Sequence, residues 1–145
     1  MTSLISNQLE SENDESNKLQ SEEQFEEQLI YKENIIDHYK HPRNKGVIKE
    51  ETHTAQEFNP LCGDKITMHI KVMGGVIRDI SFEGDGCAIS QASASLLTED
   101  VKGKKVEDVK KMINCDVHAL LKIPISHSRR KCAFLSLKTI QEALK

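Results

Sequence analysis

Two alternating segments joined by a pair of glycines restrict the fold more than any other feature of this chain. Every second residue from Ile66 to Val72 is apolar, and the residues between them are polar. This two-residue period is typical of a strand with one buried face. Gly74-Gly75 supplies a tight turn, and residues 76–83 return with Ile80 and Phe82 facing inward. The sequence therefore predicts a β-hairpin.

Patterns on either side of the hairpin predict mainly helices. Apolar residues recur at helical spacing in residues 29–40, and the polar stretch 47–58 could supply one edge strand. Beyond residue 86 we expect a small-residue helix over 88–101, an amphipathic helix over 106–113, a short helix capped by Asp116, a loop over 124–131 and a terminal helix. Strands followed by helices predict an α+β fold, with a small antiparallel sheet packed by helices.

Charge divides the chain into two parts. Residues 1–28 hold eight acidic residues against one lysine, a net charge of −7, whereas residues 29–145 carry 15 acidic and 19 basic residues, a net charge of +4. The first part is rich in Ser, Asn and Gln and has few side chains that could build a core. It is predicted to be an acidic disordered tail, with a solubilising extension as its simplest role. Residues 29–145 are predicted to form one domain.

Composition excludes several classes of protein. The longest apolar stretches are far shorter than the roughly 20 residues that a membrane-spanning helix needs. A net charge of −3 gives no general attraction for nucleic acid. Because the first residues form neither an apolar signal sequence nor a basic presequence, we expect a cytoplasmic location.

The four cysteines are not expected to form a disulfide framework, because cytoplasmic thiols stay reduced. They are candidates for metal ligands, sulfur nucleophiles or buried small hydrophobic residues. Cys87 follows Gly84-Asp85-Gly86 and opens a predicted helix, and Cys132 follows a basic loop and opens another. A helix N-terminus presents the positive end of the macrodipole and unpaired N–H groups, which favour thiolate over thiol. Both positions therefore suit a reactive or metal-binding sulfur.

A third cysteine stands in the segment Cys62-Gly63-Asp64. Gly63 lets the backbone turn, so that Cys62 and Asp64 can point to the same side. Three thiolates and one carboxylate would suffice for tetrahedral zinc or an iron–sulfur cluster. One hard carboxylate oxygen among soft thiolates is a weaker ligand for these metals. Weaker binding favours a site that releases its metal or cluster rather than one that stores it. Gaps of 24 and 44 residues between the three cysteines are also compatible with three unrelated thiols.

Four local sequences, in this order, resemble the NifU N-terminal-domain family, which includes the IscU and SufU iron–sulfur assembly proteins. The resemblance covers about residues 29–145. The matching segments are Ile36-Asp37-His38-Tyr39-Lys40-His41-Pro42-Arg43-Asn44-Lys45-Gly46, Asn59-Pro60-Leu61-Cys62-Gly63-Asp64, Gly86-Cys87-Ala88-Ile89-Ser90-Gln91-Ala92-Ser93-Ala94-Ser95 and Lys131-Cys132-Ala133.

The resemblance implies a fold, a ligand set and partners. The fold would be of the SufE/NifU type. Cys62, Cys87 and Cys132 would hold a nascent [2Fe–2S] cluster or zinc, with Asp64 as the labile fourth ligand. A cysteine desulfurase would deliver persulfide sulfur, and apo iron–sulfur proteins would accept the cluster. Cys62 and Cys132 are the candidate persulfide acceptors, and Arg129 is a candidate contact for the desulfurase.

The sequence also departs from the IscU pattern. Lys131 replaces the histidine that precedes the third cysteine in IscU, and residues 122–126 keep a single proline, so a specialised Hsp70 chaperone is not an expected partner. Several segments resemble SufU, but the insertion usual in zinc-dependent SufU proteins is absent. The sequence is compatible with a scaffold, with a zinc-dependent sulfurtransferase and, as a third alternative, with a zinc-stabilised interaction module. It does not decide whether the protein is an enzyme.

Other polar residues near the third cysteine have simpler interpretations. His127 could swing in as an additional ligand, although a solvated loop histidine is the ordinary alternative. Arg129, Arg130 and Lys131 could handle sulfur, dock a partner or form a solvated face. Cys115 matches no ligand position of the family, and we expect a structural thiol between two helices.

Overall fold

The structure is a computed structural model that describes residues 32–60 and 63–145. The predicted tail over 1–28 lies outside the described residues. Helix α1 occupies residues 32–40. The elements that follow are β1 (His53–Asn59), β2 (Asp64–Met73), β3 (Val76–Asp85), α2 (Ala88–Val101), α3 (Val106–Lys110), α4 (Asn114–Leu121), a 3-10 turn (His127–Arg129) and α5 (Arg130–Ala143).

The predicted hairpin is present and forms the centre of the fold. Within the described residues the sheet has three antiparallel strands in the order β1-β2-β3. Met68 lies opposite Phe82, and Ile70 lies opposite Ile80, and all four side chains are fully buried. The edge strand expected between residues 47 and 58 is β1, and β3 continues beyond the predicted Glu83 to Asp85.

Helices α2 and α5 cover the apolar face of the sheet and pack against each other. The Ser93 hydroxyl donates a hydrogen bond of 2.6 Å to the Ala133 carbonyl oxygen and lies 3.1 Å from the Ser136 hydroxyl. The spacing between packed helices depends on the side chains at their contact, and the small residues of α2 allow a close approach. Leu97 and Ile140 complete the core between the helices and the sheet. The α+β prediction is confirmed.

Four local predictions about the second half of the chain are wrong in detail. The helix expected over 106–113 ends at Lys110. Asp116 is not the cap of α4; it lies in the first turn, where its carboxylate accepts a hydrogen bond of 2.8 Å from the Ile113 N–H. The loop expected over 124–131 is interrupted by the 3-10 turn from residue 127, and α5 begins at residue 130. Successive backbone N–H groups in this stretch donate to carbonyl groups of the preceding turn. Cys115 lies within α4 and is exposed.

Helix α1 is held against α2 by a buried histidine. The Nδ1 atom of His38 lies 2.8 Å from the Ser95 hydroxyl, which also accepts a hydrogen bond of 2.8 Å from the Arg43 backbone N–H. That arrangement lets the hydroxyl donate its own proton to an unprotonated Nδ1. Burial and the neighbouring Arg43 charge lower the pKa of His38. His38 therefore joins α1 to α2 as a neutral side chain.

The lowered pKa of His38 makes the fold sensitive to acid. The unfolded chain takes up the His38 proton more readily than the folded one, so this contribution to stability is complete above pH about 6.5 and is lost as the pH falls below it. The loss amounts to at most about 1.4 kcal/mol for each pH unit. We expect His38→Asn to flatten the fall in unfolding free energy between neutral and mildly acidic pH. Urea titrations of wild type, His38→Asn and the control His127→Asn test this, and parallel curves for all three would contradict it.

None of the helices in the part of the chain that the structure describes has the length and apolar character needed to cross a membrane.

Candidate metal centre

Three predicted ligands meet where the sheet and two helices end. Asp64 is the first residue of β2, Cys87 is the N-cap of α2, and Cys132 is the third residue of α5. One carboxylate oxygen and the two sulfur atoms all lie within 4.8 Å of one another. Residues that are 23 and 45 positions apart in sequence thus form one cluster of potential metal ligands.

Asp64 is held in place by the start of α2. Its side chain is buried, with the residue only 1% exposed. Oδ1 accepts a hydrogen bond of 2.9 Å from the Cys87 backbone N–H, and Oδ2 lies 3.8 Å from the Cys87 sulfur. A carboxylate is favourable at a helix N-terminus because it satisfies an N–H that has no partner within the helix. The same contact brings the carboxylate and the thiol together.

Gly86 allows this close approach. A Cβ atom added at Gly86 would lie 2.6 Å from the Asp64 Oδ1 atom and 3.0 Å from its Cγ atom. Contacts this short are not tolerated, so a side chain at residue 86 would displace the carboxylate. No such role was predicted for Gly86 from the sequence, although its position directly before Cys87 was a signal.

Gly86→Ala should weaken metal binding while leaving every ligand in the chain. We expect zinc affinity to fall by about tenfold or more, the size of effect found when groups that orient a ligand are changed. Competition with a chromophoric chelator measures the affinity. The same change made in an Asp64→Ala background is the control, because it should there have little further effect. Equal losses in both backgrounds would show that Gly86 does not act through Asp64.

Cys132 is buried, with 1% of the residue exposed, in the first turn of α5. The Asn59 side-chain amide donates to its sulfur across 3.9 Å. Asn59 pairs with Asp64 at the turn end of the β1–β2 ladder, and the Gly63 N–H donates to the Asn59 carbonyl oxygen at 2.9 Å. No role was predicted for Asn59 from the sequence, although it begins the segment that contains Cys62.

Gly63 has a φ of +71°, so the turn between β1 and β2 uses a backbone conformation that favours glycine. This agrees with the expectation that the chain turns at this residue. Cys62 lies outside the described residues. Its membership of the ligand set stays a prediction.

The other residues singled out in the sequence do not join the cluster. His127 is exposed in the 3-10 turn and is not part of the group formed by Asp64, Cys87 and Cys132. Arg129, Arg130 and Lys131 are exposed beside Cys132, and none of them forms an ion pair with a residue that the structure describes. The cluster is therefore flanked by solvent-exposed positive charge.

The donor set fits both zinc and iron–sulfur cargo. Zinc takes four ligands in a tetrahedron, with sulfur at about 2.3 Å and carboxylate oxygen at about 2.0–2.2 Å. Asp64, Cys87 and Cys132 supply one oxygen and two sulfurs already close together, and their present spacing of up to 4.8 Å needs only small side-chain rotations to converge. Three ligands from three separate elements leave a fourth position for another thiolate.

Comparison with known proteins gives the family. The profile described as "NifU-like N terminal domain" matches residues 30–145. The chain belongs to the NifU-like N-terminal domain family. This confirms the resemblance drawn from the four local sequences.

The relatives of this NifU-like chain include both SufU and IscU proteins. It is 36% identical over 132 residues to the zinc-dependent sulfurtransferase SufU of Bacillus subtilis, covering 79% of this chain and 89% of the relative. It is 36% identical over 133 residues to the iron–sulfur cluster assembly scaffold protein IscU of Thermotoga maritima, covering 81% and 94%.

A solved structure of similar fold comes from Fervidobacterium islandicum and is described as a candidate iron–sulfur cluster assembly scaffold for the SUF system. It superposes with a TM-score of 0.70 at 30% identity, covering 81% of this chain and 98% of the other. The identities to IscU and SufU are equal, which agrees with the mixture of IscU-like and SufU-like features in the NifU-like sequence.

Proposed function

We propose that the protein is an iron–sulfur cluster assembly scaffold that accepts sulfur from a cysteine desulfurase, holds a nascent [2Fe–2S] cluster and passes it to apo acceptor proteins. Cys62, Asp64, Cys87 and Cys132 are the proposed ligands. The relatives named as IscU scaffold proteins support this assignment. So does the family to which residues 30–145 belong.

The observation that carries the proposal is the convergence of one carboxylate and two thiols at the ends of three elements. Thiolates bind the iron of an iron–sulfur cluster tightly, whereas a carboxylate oxygen is a weaker match for the same metal. Asp64 is therefore the ligand that an acceptor protein could replace first. A site with one replaceable ligand suits a protein that must release what it assembles.

Sulfur would arrive by attack of a thiolate on the outer sulfur of the desulfurase persulfide. A new S–S bond forms on this chain, the S–S bond of the partner breaks, and the partner cysteine leaves as thiolate, so that one sulfur atom moves without net oxidation. We assign this first step to Cys62, because Cys132 is 1% exposed in the described fold. Arg129, exposed directly before α5 and three residues before Cys132, is the proposed contact for the desulfurase. A cytoplasmic, reducing location would keep these thiols reactive.

Anaerobic reconstitution with iron and sulfide tests the scaffold proposal. We expect a brown, oxygen-sensitive protein with visible absorption that disappears as an apo ferredoxin-type acceptor gains its cluster. Intact mass spectrometry after incubation with a loaded desulfurase should show one added sulfur on wild type and none on Cys62→Ser. A colourless protein that transfers no cluster would contradict the proposal.

A second candidate function is a zinc-dependent sulfurtransferase, as the Bacillus subtilis relative is named. Asp64, Cys87 and Cys132 fit zinc equally well, and bound zinc would supply Lewis-acid stabilisation of thiolates. Under this alternative the protein purified without air holds about one zinc per chain. It then accelerates its desulfurase without acquiring visible absorption. Metal analysis and desulfurase turnover on the same preparation separate the two functions.

A further inference from the structure

Unpaired buried polar atoms are concentrated at the start of α2, directly after Cys87. In the described part of the chain, five buried side-chain nitrogen and oxygen atoms have no hydrogen-bond partner. Three of the five are the Ser90 hydroxyl and the two amide atoms of Gln91. Gln91 shares a helix face with Ser95, which contacts α1 through His38. Ser90 lies on a different face, and its hydroxyl needs a separate explanation.

The hydroxyl of Ser90 lacks the two partners that a serine at this place in a helix usually finds. Ser90 is the third residue of α2 after the N-cap Cys87, and in a capping box the side chain at this position bonds the N-cap backbone N–H. Here the Cys87 N–H donates to Asp64 at 2.9 Å instead. Ser93, one turn later, donates to a carbonyl oxygen of α5, whereas Ser90 has no such acceptor in the described residues.

Helix geometry places Ser90 between two of the metal ligands. Residues three apart share a helix face, so Ser90 lies on the same face as Ser93, which contacts the Ala133 carbonyl oxygen of α5. Both helices begin at the metal centre, since Cys87 and Cys132 belong to one cluster. Ser90 is one turn nearer to this centre than Ser93, and helical side chains lean toward the N-terminus of their helix. It is also only 1% exposed, so water does not freely reach it.

We propose that the Ser90 hydroxyl donates a hydrogen bond to a metal-bound sulfur of this centre and so acts as a positioning residue. The acceptor is a ligand thiolate or a sulfide of the cluster. This inference rests on the proposed function only in requiring that the centre binds a metal or a cluster. Cysteine ligands lose their protons when they bind metal, and a charged sulfur accepts a stronger hydrogen bond than a thiol. The hydroxyl therefore gains its partner on loading.

The apo protein offers the first test, because there the unpaired hydroxyl destabilises the fold. Ser90→Ala removes a buried group without a partner and introduces a better helix former, so the urea midpoint of the apo protein should rise. Ser93→Ala is the matched control, since it removes the same group one turn away where partners are present, and its midpoint should fall. A lower midpoint for Ser90→Ala would show that the hydroxyl is already paired in the apo protein, and would overturn the proposal.

Cobalt provides a spectroscopic test that does not depend on cluster assembly. A hydrogen bond lowers the energy of the sulfur electrons that give rise to thiolate-to-Co²⁺ charge-transfer bands. If the acceptor is a ligand thiolate, Ser90→Ala should move these bands to longer wavelength and Ser93→Ala should leave them in place. Ser90→Thr keeps the hydroxyl and should restore the wild-type band positions.

The reconstituted cluster provides the second spectroscopic test. Hydrogen bonds to sulfur stabilise the additional negative charge of the reduced cluster, so Ser90→Ala should make reduction harder. We expect the equilibrium constant of reduction to fall up to about tenfold, which is about 59 mV for one electron. A shift of the cobalt bands assigns a ligand thiolate as the acceptor, and a shift of the potential alone assigns a cluster sulfide.

Two results would overturn the role of Ser90: cobalt bands and a reduction potential that are both unchanged in Ser90→Ala, or equal shifts in Ser93→Ala. Failure of the proposed function has a different signature. A wild-type protein that binds cobalt but acquires no cluster would contradict the scaffold proposal, and the cobalt comparison would then decide the role of Ser90 by itself.

Discussion

Cys87→Ser should abolish tight zinc binding and cluster assembly, and Cys132→Ser should do the same. Each change removes one sulfur from a group whose ligand atoms lie within 4.8 Å of one another. Serine keeps the shape of cysteine but offers a hydroxyl, a much poorer ligand for zinc or iron than a thiolate. The loss in zinc affinity should exceed the roughly 10- to 100-fold expected for groups that only orient a ligand.

The fourth cysteine provides a matched control for these variants. Cys115 is exposed on α4 and lies outside the cluster. Cys115→Ser should therefore keep the zinc content, the visible absorption after reconstitution and the unfolding midpoint of the wild-type protein. Metal content and absorption spectra of the three variants, prepared side by side without air, make the comparison. Full occupancy in Cys87→Ser would remove Cys87 from the ligand set.

Asp64→Ala should lengthen the lifetime of a bound cluster while weakening the apo fold. The carboxylate is the proposed replaceable ligand, so its removal slows exchange with an acceptor, and a barrier higher by about 1.4 kcal/mol would slow it tenfold. In the apo protein the Cys87 N–H loses its acceptor, and because this contact is only part-buried the cost lies toward the lower end of about 1–3 kcal/mol. The two effects have opposite signs and arise from the same side chain.

Cluster transfer to an apo acceptor, followed by absorbance, measures the first effect, and urea titration of the apo protein measures the second. Asp85→Ala is the control, since Asp85 is exposed at the end of β3 and lies outside the cluster. A shorter cluster lifetime in Asp64→Ala would contradict the proposed exchange role. An unchanged unfolding free energy would show that the contact with the Cys87 N–H contributes little.

The hairpin could be predicted because a strand with one buried face alternates apolar and polar residues in the sequence. The alternating residues from Ile66 to Val72 lie in β2, and the inward-facing ones are fully buried up to Ile70. Helix boundaries were less predictable, since they depend on which backbone groups find partners. The amphipathic pattern over 106–113 did not reveal that α3 ends at Lys110.

The candidate site was predictable by residue type but not by its internal contacts. Positions before helices marked Cys87 and Cys132, and the glycine at residue 63 drew attention to Asp64. The hydrogen bond from the Cys87 N–H to Asp64 could not be predicted, because it joins a strand to a helix brought together only by tertiary packing. The same holds for Asn59, whose amide reaches Cys132 across 73 positions of sequence.

The separate origins of the ligands have a thermodynamic consequence. Asp64 begins a strand, and Cys87 and Cys132 begin two different helices. No short stretch of the unfolded chain can reproduce that arrangement, so affinity for the metal is also affinity for the assembled tertiary structure. A bound metal or cluster therefore links the sheet to both helices. A partner that removes it also weakens the attachment of α5 to the strands beneath it.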